Sequence, residues 1–115
     1  MPAYNFKKQF EDDVEKGHKR QTIRPKRKRP TKPGDLLYLY TGMRTKTCRK
    51  LRTDFCLSVT PIVIYPHHVK LNETFVEMGS VENLAQSDGF ETSTEFFRFF
   101  EKQYGFPFEG ELIKW

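Results

Sequence analysis

Residues 15–29, EKGHKRQTIRPKRKR, are basic almost throughout, but Thr22 and Ile23 interrupt the run. A solvated basic arm has no use for a β-branched pair, whereas a short strand does, because branched side chains pack well on a pleated surface. The stretch therefore reads as a strand, RQTIR, that carries Lys19, Thr22 and Arg24 past the mouth of a polar cleft. PKRKRPTKPG follows as a loop broken by Pro25, Pro30 and Pro33. PKRKR also matches a basic nuclear-localisation pattern, but its proline spacing suits a structured loop.

Upstream, Phe6, Phe10 and Val14 recur every four residues, which predicts one face of an amphipathic helix stopped by Gly17 as its C′ residue. Downstream, LLYLYTG reads as a buried strand, RTKTCRKLR as a polar loop, and FCLSVTPIVIY as one long strand or two bent at Pro61. VKLN and TFVEM are shorter strand candidates. SVENLAQSDG reads as a helix with Ser80 as N-cap and a turn at Asp88-Gly89. Thr92 and Glu95 have capping-box spacing before a helix striped by Phe96, Phe100 and Tyr104 and ended by Gly105. GELIKW closes the chain as a strand, expected to pair in the same sheet system as LLYLY. Strands outnumber helices and do not alternate with them, so the order predicts one α+β domain over residues 1–115. Its expected form is a small, mostly antiparallel β-barrel with peripheral helices.

The 115 residues carry a net charge of +5, unevenly spread. Residues 1–52 hold 16 Lys and Arg against 5 Asp and Glu, while residues 53–115 hold 4 against 10. Such asymmetry within one small domain points to a basic face meeting a polyanion. Arg20, Arg24, Lys26, Arg27, Lys28 and Arg29 are the candidate contacts from one segment, and Arg44, Lys46 and Arg49 from a second. The aromatic fraction of 15% excludes a disordered chain. No apolar run approaches the ~20 residues of a membrane span, and the first residues resemble no signal peptide. A cytoplasmic protein is expected, with Cys48 and Cys56 as reduced core thiols. The two cysteines and His67-His68 lack metal-ligand spacing, so neither metal nor cofactor is expected.

Several features coincide in order: GHKRQTIR (17–24), a basic loop, KPGDLLYL (32–39), DGF (88–90), FFRFFEKQYG (96–105) and an apolar last strand. The combination resembles the ASCH domain family over about residues 6–115. YTGMRTKTCRKL (40–51) is similar to small ASCH proteins of phages and prophages. The resemblance implies a PUA-like barrel and an association with RNA. One branch of the family comprises amidohydrolases that remove the acetyl group of N4-acetylcytidine, using a lysine, a threonine three residues later and a later acidic residue. By position these are Lys19, Thr22 and Asp88. That branch has glutamate in the last place, so Asp88 reaches one methylene less far.

Those roles are Lys19 as proton acceptor, Thr22 as nucleophile and Asp88 as proton donor. A lysine serves as base only where burial or nearby cations lower its pKa. Lys19 and Thr22 are three apart and would face opposite ways on a regular strand, so the arrangement needs a turn or bulge near Gln21. Arg24 would bind a phosphate or pair with Asp88. The expected ligand is RNA or a modified nucleoside held in a basic cleft of a monomer, without a membrane. Three other readings share these residues. In the first, the protein binds without catalysis and stacks a base on Tyr38 or Tyr40. In the second, a ribonuclease stabilises the scissile phosphate with Lys19 and a tyrosine. In the third, a phage module docks on a host protein.

Overall fold

The computed structural model describes residues 2–115. Eight strands form two sheets, with three short helical elements packed beside them. The first sheet is ordered β1-β3-β4, from β1 (Ala3–Phe6), β3 (Leu36–Thr41) and β4 (Arg49–Phe55). The second is ordered β2-β8-β5-β6-β7, from β2 (Gln21–Arg24), β8 (Phe108–Lys114), β5 (Ser58–Ile64), β6 (Val69–Leu71) and β7 (Thr74–Phe75). The helices are α1 (Glu11–Glu15), α2 (Met78–Ser87) and α3 (Ser93–Gln103), with a 3-10 turn at Lys8–Phe10 before α1.

The α+β composition agrees with the sequence, but the PUA-like barrel does not. The described strands make two separate sheets and no closed barrel. The last strand pairs with β2 and β5, whereas LLYLY pairs with β1 and β4, so the two do not share a sheet. The sheets meet where the chain passes from β4 to β5. There the Cys56 N–H donates to Asp35 O at 2.8 Å, in the first sheet's region, and the next N–H, Leu57, donates to Lys114 O at 2.8 Å in the second.

The expected first helix is also corrected. Phe6, Phe10 and Val14 are all buried, at 2%, 5% and 0% exposure, but they come from β1, the 3-10 turn and α1 in turn. Parallel pairing of Ala3–Phe6 with Tyr38–Thr41 overrides the four-residue spacing. RTKTCRKLR is half strand, because β4 begins at Arg49. FCLSVTPIVIY holds the end of β4 at Phe55 and then one strand, β5, which Pro61 does not divide. Pro61 faces Glu111 of β8, while β6 pairs only from Ile62 onward, so the missing N–H opens no gap on that side. α2 starts at Met78 with Glu77 in the N-cap position, three residues before the expected cap at Ser80. Thr92 does cap α3, its hydroxyl accepting from the Glu95 N–H at 3.2 Å.

The core is aromatic. Phe96 and Phe100 on α3, Phe90 and Phe10 interlock edge-on or tilted, with the Phe90 ring 5.4 Å from Phe10 and 5.8 Å from Phe96. Edge-to-face pairs of this kind add to simple burial. Cys56 is buried within the core, whereas Cys48 is exposed, so only one of the two thiols packs as expected. Among the described residues no helix is long and apolar enough to cross a membrane.

Candidate active site

Two helix ends build the site, and both end in the same way. At the end of α1, Lys16 is the C-cap and Gly17 turns left-handed at φ +80°. The Gly17 N–H donates to Val14 O at 3.2 Å and the His18 N–H to Asp13 O at 2.8 Å, the two bonds of a Schellman motif. The Lys19 N–H also donates to Asp13 O, at 2.9 Å, before β2 begins at Gln21. This turn answers the parity problem, since Lys19 lies ahead of the strand and is not bound by its alternation.

At the end of α2, Asp88 is the C-cap and Gly89 has φ +98°. The Gly89 N–H donates to Gln86 O and the Phe90 N–H to Ala85 O, both at 3.0 Å, a second Schellman motif. The first motif delivers Lys19 and the second delivers Asp88.

They meet in the interior. The Lys19 ammonium donates to the Asp88 carbonyl and, at 3.1 Å, to Asp88 Oδ1, with both residues under 5% exposed. Gln21 Nε2 donates to the same Oδ1 at 3.2 Å. Both donors thus take Oδ1, leaving Oδ2 without a protein donor among the described residues. Lys19 Nζ lies 5.1 Å from the Phe10 ring centre and 5.8 Å from that of Phe6. Burial lowers the Lys19 pKa despite the attraction of Asp88, and burial raises that of Asp88 despite Lys19, Gln21 and Arg24. The two shifts bring the proton affinities of amine and carboxylate toward each other, the condition for passing a proton between them.

Thr22 and Arg24 belong to β2, whose partner β8 holds them in register opposite Ile113 and Glu111. Arg24 Nε donates to Thr22 Oγ1 at 2.8 Å and Arg24 Nη2 to Asn5 O at 2.6 Å. Burial also lowers the Arg24 pKa. No ion pair joins Arg24 to Asp88. Its guanidinium carbon is instead 4.9 Å from the Phe6 ring centre. A cavity of about 220 Å³ is lined by Lys19, Thr22, Arg24 and Asp88 on its polar side. Phe6, Phe10, Phe90, Phe99 and Tyr104 form its aromatic walls. That volume is below the ~300–1,000 Å³ of drug-sized pockets and suits one small ring system.

The remaining basic residues separate into groups. Arg27 Nη1 donates to Ala3 O at 3.0 Å, beside Arg24, while Lys26, Lys28 and Arg29 are exposed on the same loop. Arg44 and Lys46 are exposed in the β3–β4 turn, which the Met43 N–H fastens to Asn5 Oδ1 at 2.9 Å. Arg20 turns elsewhere, to Asp54 at 3.1 Å and to the Trp115 carbonyl at 3.0 Å. Arg49 pairs with Glu15 at 2.7 Å and with Glu11 at 3.8 Å. Arg20 and Arg49 are therefore charge-compensated. Tyr38 and Tyr40 do not line the cavity; the tyrosine there is Tyr104.

Sequence reasoning missed Gln21, whose role depends on a contact 67 residues away. It read Phe10 only as helix stripe and Phe90 only as part of the DGF stretch. Comparison with protein-family models, with curated proteins and with solved structures finds no match for this chain.

Proposed function

We propose that the protein is an amidohydrolase that binds an N4-acylated cytosine, as a nucleoside or within RNA, and releases the acyl group. The observation carrying this reading is the convergence of Lys19 and Thr22 with Asp88, from two distant parts of the chain, on one aromatic-walled cavity. The positional agreement of Lys19 and Thr22 with the ASCH amidohydrolase branch supports the first two residues, and Asp88 stands where that branch has glutamate. The PUA-like barrel that the resemblance also implied is not formed by the described strands.

The aromatic walls stack a single pyrimidine ring. Thr22 Oγ1 attacks the acyl carbonyl carbon while Lys19, in its neutral form, takes the hydroxyl proton. The Arg24 N–H already aimed at Oγ1 stabilises the alkoxide as it forms. Asp88, in its protonated form, gives a proton to the departing N4 through Oδ2, and the C–N bond breaks to leave cytosine and an acyl-threonine ester. Water then adds to the ester carbonyl and gives its proton to the Asp88 carboxylate, and the threonine oxygen leaves and takes back the proton held by Lys19, which restores the starting pair. The products are the free nucleoside and the acid. The buried pair suits this exchange, because a proton moved from Lys19 to Asp88 leaves two neutral groups in a poorly solvated place.

The test is incubation of the purified protein with N4-acetylcytidine, with cytidine separated and quantified by chromatography. Wild type is expected to turn over, and Lys19→Met and Thr22→Val to lose on the order of 10²-fold or more of the rate. No turnover by wild type, or full turnover by either variant, would overturn the mechanism.

A further inference from the structure

β1 is an outer strand, with β3 on one side only. Its unpaired edge carbonyls are taken by arginines, Ala3 O by Arg27 and Asn5 O by Arg24. Two residues of strand rise by about 7 Å, so the two guanidinium groups are held in file at a set spacing. Both lie against the Tyr4 ring, their carbons 5.2 Å and 5.4 Å from its centre. Each keeps donors in reserve, since among the described residues Arg27 engages only Nη1 and Arg24 only Nε and Nη2.

The file leads somewhere. Arg24 lines the cavity, and Arg27 lines a second depression of about 590 Å³. Arg29, Asp35, Leu36 and Phe55 line it too. Phe55 is 60% exposed at the end of β4, an aromatic face left in water beside two arginines. Lys26, Lys28 and Lys32 are exposed on the same loop. Among the described residues lining the depression Asp35 is the one carboxylate, and its Oδ2 accepts from the Lys32 N–H at 2.9 Å.

We infer that this depression is a second base subsite and that Arg24 and Arg27 bridge to it along the phosphates of a single-stranded RNA. The inference rests on the cavity holding a base. The ligand is then an oligonucleotide rather than a free nucleoside. One base enters the cavity, the backbone follows the β1 edge, and a neighbouring base stacks on Phe55. Spaced arginine forks fit successive phosphates, and an exposed ring between cations accepts any base face.

Binding of a fluorescein-labelled six-nucleotide cytosine RNA, read by anisotropy, tests the inference, with unlabelled cytidine as competitor. The variants are Phe55→Ala and Arg27→Gln. Phe75→Ala, at an equally exposed ring on the far edge of the other sheet, is the control. The hexanucleotide is expected to bind at least about tenfold more tightly than cytidine. Phe55→Ala should weaken it about tenfold, the stacking of one base. Arg27→Gln should reduce the salt slope by about 0.7. Cytidine binding and the Phe75→Ala variant should be unchanged. Hexanucleotide binding that Phe55→Ala and Arg27→Gln leave intact would overturn the subsite. So would wild-type binding to phosphatidylserine vesicles in place of RNA. Loss on Phe55→Ala with no competition by cytidine would sustain the subsite and remove the cavity reading instead.

Discussion

Lys19 and Asp88 are 69 residues apart in the chain, yet each is the other's principal polar contact in the interior. Each lies next to a left-handed glycine turn that ends a helix, and the ammonium also satisfies the Asp88 carbonyl at the end of α2. A cation is favoured at that end of a helix, where carbonyls lack partners, while a carboxylate is not. The pair therefore holds the two helix ends together, while burial raises the Asp88 pKa against the pull of Lys19.

Removing one partner leaves the other buried and uncompensated. Lys19→Met and Asp88→Leu are each expected to cost about 3–5 kcal/mol, whereas the double variant should be as stable as wild type or about 1–4 kcal/mol more so. Urea denaturation of all four proteins measures the cycle. Additive single losses in the double variant would mean that the two residues act separately.

The direction of the shifts fixes a pH dependence. Asp88 has a raised folded pKa, so its unfavourable contribution is absent below the ordinary carboxylate value of about 3.9 and grows as pH rises through the folded one. Lys19 has a lowered folded pKa, so its cost is complete below that value and fades as pH rises toward about 10.4. The stability advantage of the Lys19→Met/Asp88→Leu double variant should thus peak between these ordinary values and shrink at both ends. Melting wild type and double variant from about pH 3 to 11 reads the difference. A difference that does not change with pH would contradict both shifts.

Gly89 couples the turn to the cavity. A Cβ there would stand 2.9 Å from Phe10 Cδ1 and 3.3 Å from Lys19 Cδ, on backbone already at φ +98°. Gly89→Ala is expected to cost about 1–3 kcal/mol and to weaken ligand binding by displacing Phe10 and Lys19. Gly105→Ala is the comparison, because it too has positive φ, at +82°, but meets nothing within 4 Å. Equal losses of stability, with binding unaffected in both, would show that only backbone strain matters at Gly89.

Much of this molecule is written in local chemistry. Thr22 and Ile23 mark β2, Gly17 and Gly89 mark the ends of two helices, Thr92 caps a third, and the Phe96–Phe100 spacing marks a buried face. Each depends on residues within one or two turns, so the sequence alone determined them, together with the excess of cations in the first 52 residues. Tertiary structure decided the rest. Phe6 lies in a strand because Leu39 and its neighbours offered β1 a parallel edge, which no pattern within residues 3–14 records. β8 joined β2 and β5 instead of β3, splitting the strands into two sheets, because pairing is a choice among distant edges with similar alternation. Arg20 and Arg49, indistinguishable in sequence from Arg24 and Arg27, were compensated by Asp54, Glu11 and Glu15, since a surface charge is set by what folds beside it. Gln21 became a ligand of Asp88 for the same reason: hydrogen bonds across 67 residues exist only once the chain has closed around them.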